Sequence, residues 1–164
     1  MITRPSSRVL LAAILLVANA VSAEEPSHLG DDLGLGAASN KATITQIGQD
    51  QRATIEQHNI AGGLLTGAIK QRGSGNQASM LLEGGNLAGS ILQYGNDNDA
   101  TLEVRDQNNR GAIKQYGNGN EGGLTVDGYG QNVTLIQQGS VQSPGAIHIS
   151  GDTPGGLPIT VRQR

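Results

Sequence analysis

The chain has no cysteine, no phenylalanine and no tryptophan, and only three of its 164 residues are tyrosine. Without cysteine no disulfide staples the fold. A domain of this length ordinarily offsets its conformational entropy by burying large aromatic rings. With none to bury, this chain must pack aliphatic and amide side chains in a thin, repetitive arrangement or remain disordered. Its 25 glycines and its many Asn and Gln residues suit either outcome. Positive charge is also scarce, with 11 basic against 14 acidic residues, which argues against a nucleic-acid partner. Composition does not choose between order and disorder; the order of the residues does.

The N-terminus reads as a secretory signal. Arg4 and Arg8 precede an apolar run from Val9 to Ala20, and Val21-Ser22-Ala23 supplies the small residues of a cleavage site. The run is shorter than the roughly 20 residues that a membrane span needs. The expected division is a signal peptide over 1–23, a flexible export-targeting segment over 24–41, a repeat domain over 42–148 and a basic, proline-containing tail over 149–164.

The repeat domain carries the information. Segments beginning at Gly67, Gly89 and Gly111 resemble one another at a spacing of 22 residues, a period typical of stacked supersecondary units. Each unit divides into two halves of eleven. An aliphatic column runs Ile69, Met80, Ile91, Leu102, Ile113, Leu124, Leu135, and the same place earlier holds Ile44 and Ile55. Two residues further on stand Gln46, Gln57, Gln71, Gln93, Gln115 and Gln137, alternating in the later repeats with Leu82, Val104 and Val126. Turn formers follow at Gly73, Gly84, Gly95, Asp106, Gly117, Gly128 and Gly139. Then comes a column of Asn76, Asn98, Asn109, Asn120, Gln131 and Gln142, with Leu87 as the exception.

The period of two within each half describes a strand with one face inward, and Gly and Asn supply the turns. The pattern predicts an all-β fold: a β-solenoid of five roughly 22-residue strand–turn–strand repeats in parallel, in-register stacking. A longer turn between His58 and Thr66 accounts for a three-residue offset of the first repeat. Stacking puts Gln on Gln and Asn on Asn, so each buried amide can donate to the next. Outward, it predicts Glu83, Arg105 and Asp127 in alternating charge and Tyr94 beside Tyr116. After Gln142 the pattern decays, with Pro144, Pro154 and Pro158 each removing a ladder donor.

The run Gln71, Gly73, Asn76, Ala78, repeated as Gln93, Gly95, Asn98, Ala100, resembles the curlin repeat. The copy at Gln115, Gly117, Asn120 has Gly122 in the Ala place, and the first copy has Gln51 for Asn. The resemblance implies a structural subunit of curli, the extracellular amyloid fibres of adhesion and biofilm, with other curlin subunits as partners. It also implies export through Sec and then a dedicated outer-membrane pore with accessory factors, and no cofactor. Self-assembly would rest on Gln46, Gln57, Gln71, Asn76, Gln93, Asn98, Gln115, Asn120 and Gln137 with Ile44, Ile55, Ile69, Ile91 and Ile113. The Arg162-Gln163-Arg164 ending is similar to that of the minor subunit, which nucleates fibres at the outer-membrane surface. Arg162 and Arg164 would then serve surface attachment.

The alternatives are a major, fibre-forming curlin and a monomeric capped solenoid that acts as an adhesin. An enzyme is disfavoured. His28, His58 and His148 occupy no repeated position beside a carboxylate, and no Asp recurs in register as calcium-binding repeats require.

Overall fold

The computed structural model describes residues 40–59, 63–140, 145–152 and 158–164. The expected signal peptide and nearly all of the 24–41 segment lie outside the described residues. Eleven strands follow in chain order: β1 (Lys41–Gln49), β2 (Arg52–His58), β3 (Leu65–Ser74), β4 (Gln77–Glu83), β5 (Leu87–Tyr94), β6 (Asp99–Val104), β7 (Arg110–Asn118), β8 (Glu121–Val126), β9 (Asn132–Ser140), β10 (Gly145–Ile149) and β11 (Ile159–Gln163). The odd strands form a six-stranded sheet in the order β1-β3-β5-β7-β9-β11, and the even strands a five-stranded sheet in the order β10-β8-β6-β4-β2. Every pairing is parallel. The protein is a β-solenoid of five rungs, with β11 as half of a sixth.

The register is the one the sequence period dictates. Ile69 pairs with Ile91 and Ile91 with Ile113, and on the other sheet Met80 pairs with Leu102 and Leu102 with Leu124. The first rung joins the second 25 residues apart rather than 22, as Gln46 does Gln71, with the extra residues between β2 and β3. Alternation in each strand sends one set of side chains inward. Ile55, Ile69, Met80, Leu82, Ile91, Leu102, Val104, Ile113, Leu124, Val126 and Leu135 form the continuous core.

The two sheets run oppositely across that core, so the first column of one faces the last column of the other. An added Cβ on Gly89 would meet Met80 and Leu82, and one on Gly122 would meet Gln137 and Leu135. The small residues Gly67, Gly89 and Gly111 thus make room for Leu82, Val104 and Val126. Across the other edge Ala78, Ala100 and Gly122 make room for glutamine. That exchange of volumes builds a close-packed core without rings.

The structure departs from expectation at the C-terminal end. Residues 149–164 were expected as a tail, but β11 pairs with β9 from Ile159↔Val133 to Gln163↔Gln137, and Ile149 belongs to β10. The prolines do not prevent this. Pro158 precedes the first residue of β11, and a missing donor costs a ladder bond only at its own position.

Candidate functional site: amide ladders and open sheet edges

One glutamine column runs through all six odd strands. Gln46 Nε2 donates to Gln71 Oε1 at 2.7 Å, Gln71 to Gln93 at 2.7 Å, and Gln93 to Gln115, Gln115 to Gln137 and Gln137 to Gln163 at 2.8 Å each. The four interior members from Gln71 to Gln137 are fully buried. Their amide orientation is set by the backbone. Nε2 of Gln71, Gln93, Gln115 and Gln137 also donates to the carbonyls of Arg52, Gln77, Asp99 and Glu121 respectively. A flipped amide would set two carbonyl oxygens against each other. The ladder therefore points one way, donors towards the C-terminal end.

The asparagine column runs the opposite way. Asn98 donates through Nδ2 and its backbone N–H to Asn76 Oδ1 at 3.0 and 3.2 Å, and Asn120 does the same to Asn98 Oδ1 at 2.9 and 3.0 Å. Nδ2 of Asn76 and of Asn98 also donates to the carbonyls of Gly95 and Gly117. The buried turn carbonyls thereby acquire partners inside the fold. The first rung interrupts this column. Gln51, one methylene longer than Asn, donates to Gly73 O and Ile47 O, but its Oε1 has no partner among the described residues.

One expected member falls elsewhere, and one expected column divides. Gln57 is not in the glutamine ladder: it lies in β2 opposite Leu82, in the aliphatic column of the even sheet. Its Nε2 donates instead to Lys41 O at 2.9 Å and Leu65 O at 3.3 Å, tying the first rung to the second. The Asn column read as one is two, on opposite edges of the core. Asn76, Asn98 and Asn120 fill the first turn of the second, third and fourth rungs. Leu65, Leu87, Asn109 and Gln131 fill the second, where Asn109 Oδ1 accepts from Gln131 N–H at 2.8 Å. Leu87, the exception in the sequence, simply follows Leu65.

Gln163, Gln51, Asn109 and Gln131 join these columns without standing among the residues on which self-assembly is expected to rest. Gln163 had a visible signal, since Ile159-Thr-Val161-Arg-Gln163 repeats the spacing of Val133-Thr-Leu135-Ile-Gln137. Ile44, Ile69, Ile91 and Ile113 share one column with Leu135, and Ile55 lies in the column of Met80 on the facing sheet. Arg162 and Arg164 are exposed at the β11 edge.

The outward face follows the predicted stacking. The Tyr94 and Tyr116 rings lie 5.9 Å apart at 10°. Arg105 sits 3.7 Å from Asp127 and bonds Glu103 at 2.7 Å. The Glu103 carboxylate, with smaller contributions from Glu83 and Asp127, raises the Arg105 pKa above its ordinary value.

The described residues thus stack as repeats with buried amide ladders, and none of them pairs with the outer edge of β1 or of β11. Residues 65–103 match the family model of the Curlin associated repeat. The match spans the second rung and most of the third, and supports the curlin family. No curated protein and no solved structure matches the chain. Curlin repeats belong to structural amyloid subunits that self-assemble, not to an enzyme family.

Proposed function

We propose that the chain is a curli fibre subunit that polymerises head to tail, the β11 end of one copy receiving the β1 end of the next. The observation that carries this reading is the one-way glutamine ladder between two edges that no described residue pairs with. Among the described residues no glutamine precedes Gln46 to donate to its oxygen, and none follows Gln163 to receive its N–H. A second copy supplies each what the other lacks. The six-stranded sheet overhangs the five-stranded one by a strand at the β11 end, so the joint forms through β11 and β1. Soluble proteins ordinarily block such edges with charge, proline or a covering segment, and each strand added along the axis extends the stack by about 4.8 Å.

Export by a signal peptide over 1–23, reading of the 24–41 segment by an outer-membrane pore, and a place in surface fibres of adhesion and biofilm belong to the same reading. The exposed pair Arg162 and Arg164 favours the minor, nucleating subunit over the major one. Thioflavin fluorescence of the purified chain tests polymerisation: fibres are expected at micromolar concentration, and a chain that stays monomeric for days refutes it. Addition of trace amounts to a separate major curlin tests nucleation, with a shortened lag expected. An unchanged lag with intact self-polymerisation would leave a major, fibre-forming subunit.

A further inference from the structure

The two outward faces of the solenoid carry opposite charge. The six odd strands contain Lys41, Lys70, Arg72, Arg110, Lys114 and Arg162 and not one acidic residue. The even strands carry Glu56, Glu83, Asp99, Glu103 and Glu121 against Arg52. Among the described residues the ion pairs of Arg105 with Glu103 and Asp127 lie on the even-strand side, where His148 Nε2 also stands 3.7 Å from Asp127 Oδ2. The cations of the odd sheet are in none of them.

The faces also match in pattern. Along the odd sheet one outward column reads Lys70, Leu92, Lys114 in successive rungs. Along the even sheet one reads Glu56, Leu81, Glu103. Both place like charges two rungs apart, about 9.6 Å, with a leucine between them. Beside each runs a column of shorter residues: Ala68, Ser90 and Ala112 on the odd sheet, Thr54, Ser79 and Thr101 on the even sheet.

We propose that the odd-strand face docks on the even-strand face of a second copy, so that solenoids associate side by side. Because the two sheets run oppositely across the core, a copy displaced along the sheet normal brings each long column over the other face's column of shorter residues. Lys70 and Lys114 then reach the Glu56 and Glu103 carboxylates across a spacing of about 10 Å, the usual separation of packed sheets. This interface is lateral and does not use the β1 or β11 edge.

The test is the width of laterally associated assemblies, by electron microscopy and sedimentation of the full chain, at two salt concentrations. Going from about 0.01 M to about 1 M salt shortens the screening length from about 30 Å to about 3 Å, so the assemblies are expected to separate into single solenoids. The double variant Lys70→Glu with Lys114→Glu is expected to stay single at low salt. Mixing it with Glu56→Lys/Glu103→Lys should restore the wide species. Thioflavin elongation rates should be unchanged, because all four side chains point away from the ladders; sedimentation reads lateral association even if end-to-end growth fails. Widths indifferent to both salt and reversal overturn the proposal. So does association that appears only on adding polyphosphate, which would make the occupant an anionic polymer.

Discussion

Gln93 directs its Nε2 at three acceptors, Gln77 O at 2.8 Å, Asn98 O at 3.1 Å and Gln115 Oε1 at 2.8 Å, while its Oε1 receives Gln71 Nε2 at 2.7 Å. Replacing it with Glu turns the donor into an oxygen facing three others in a dry column. We expect Gln93→Glu to destabilise the solenoid by about 3 kcal/mol or more near neutral pH and to slow fibre growth strongly. The buried carboxyl's pKa would be raised. A raised acid pKa lowers stability above the unfolded value, so the deficit relative to the parent should shrink as pH falls. Denaturant unfolding of both chains at two pH values checks the size and the sign. Gly95 is constrained differently: it sits at φ +119° and an added Cβ would land on the Gly117 carbonyl oxygen of the next rung. Gly95→Ala should therefore cost about 2 kcal/mol or more, read as a lower denaturation midpoint, because the strain and the blocked approach act together.

At the scale of the strand, β11 shows what repeats can and cannot announce. The register, the aliphatic core, the outward Glu83–Arg105–Asp127 alternation and the Tyr94–Tyr116 stack were all legible, since each follows from period two within a half and period 22 between rungs. Gln57 was not. It stands in the same half-repeat column as Gln46, and only the parity of halves puts it on the aliphatic side of the core. The same parity divides the asparagines between two turns. β11 was obscured by its spacing, with Gln163 26 residues after Gln137, so a search at fixed period passes over it. Its side chains nevertheless continue the column. Gln163→Ala removes the acceptor of Gln137 and is expected to cost about 1 kcal/mol of stability, whereas Arg162→Gln, on the exposed face, should change stability by less than about 0.5 kcal/mol. Thermal or denaturant melts of the two variants separate a strand from a loose end.

For the whole molecule, the question is whether the two ends meet. Gln46 and Gln163 lie at opposite ends of the six-stranded sheet, five hydrogen-bonded links apart. Within one chain they share no partner, so alanine at both should change folding stability additively, to within about 0.5 kcal/mol. A head-to-tail fibre places them in contact at every joint, with Gln163 Nε2 donating to Gln46 Oε1 of the next copy. There either single substitution breaks the joint bond, and the second has nothing left of that bond to remove. The critical concentration for fibre growth should thus show a coupling of about 0.5–1.5 kcal/mol between the two sites, while denaturant unfolding of the monomer shows none. Additive effects on growth would mean the two glutamines never share a joint, and that fibres, if they form, are not built by continuing this ladder. Coupling in growth without coupling in unfolding would locate the bond between chains, since two sites that far apart in one solenoid have no other way to interact.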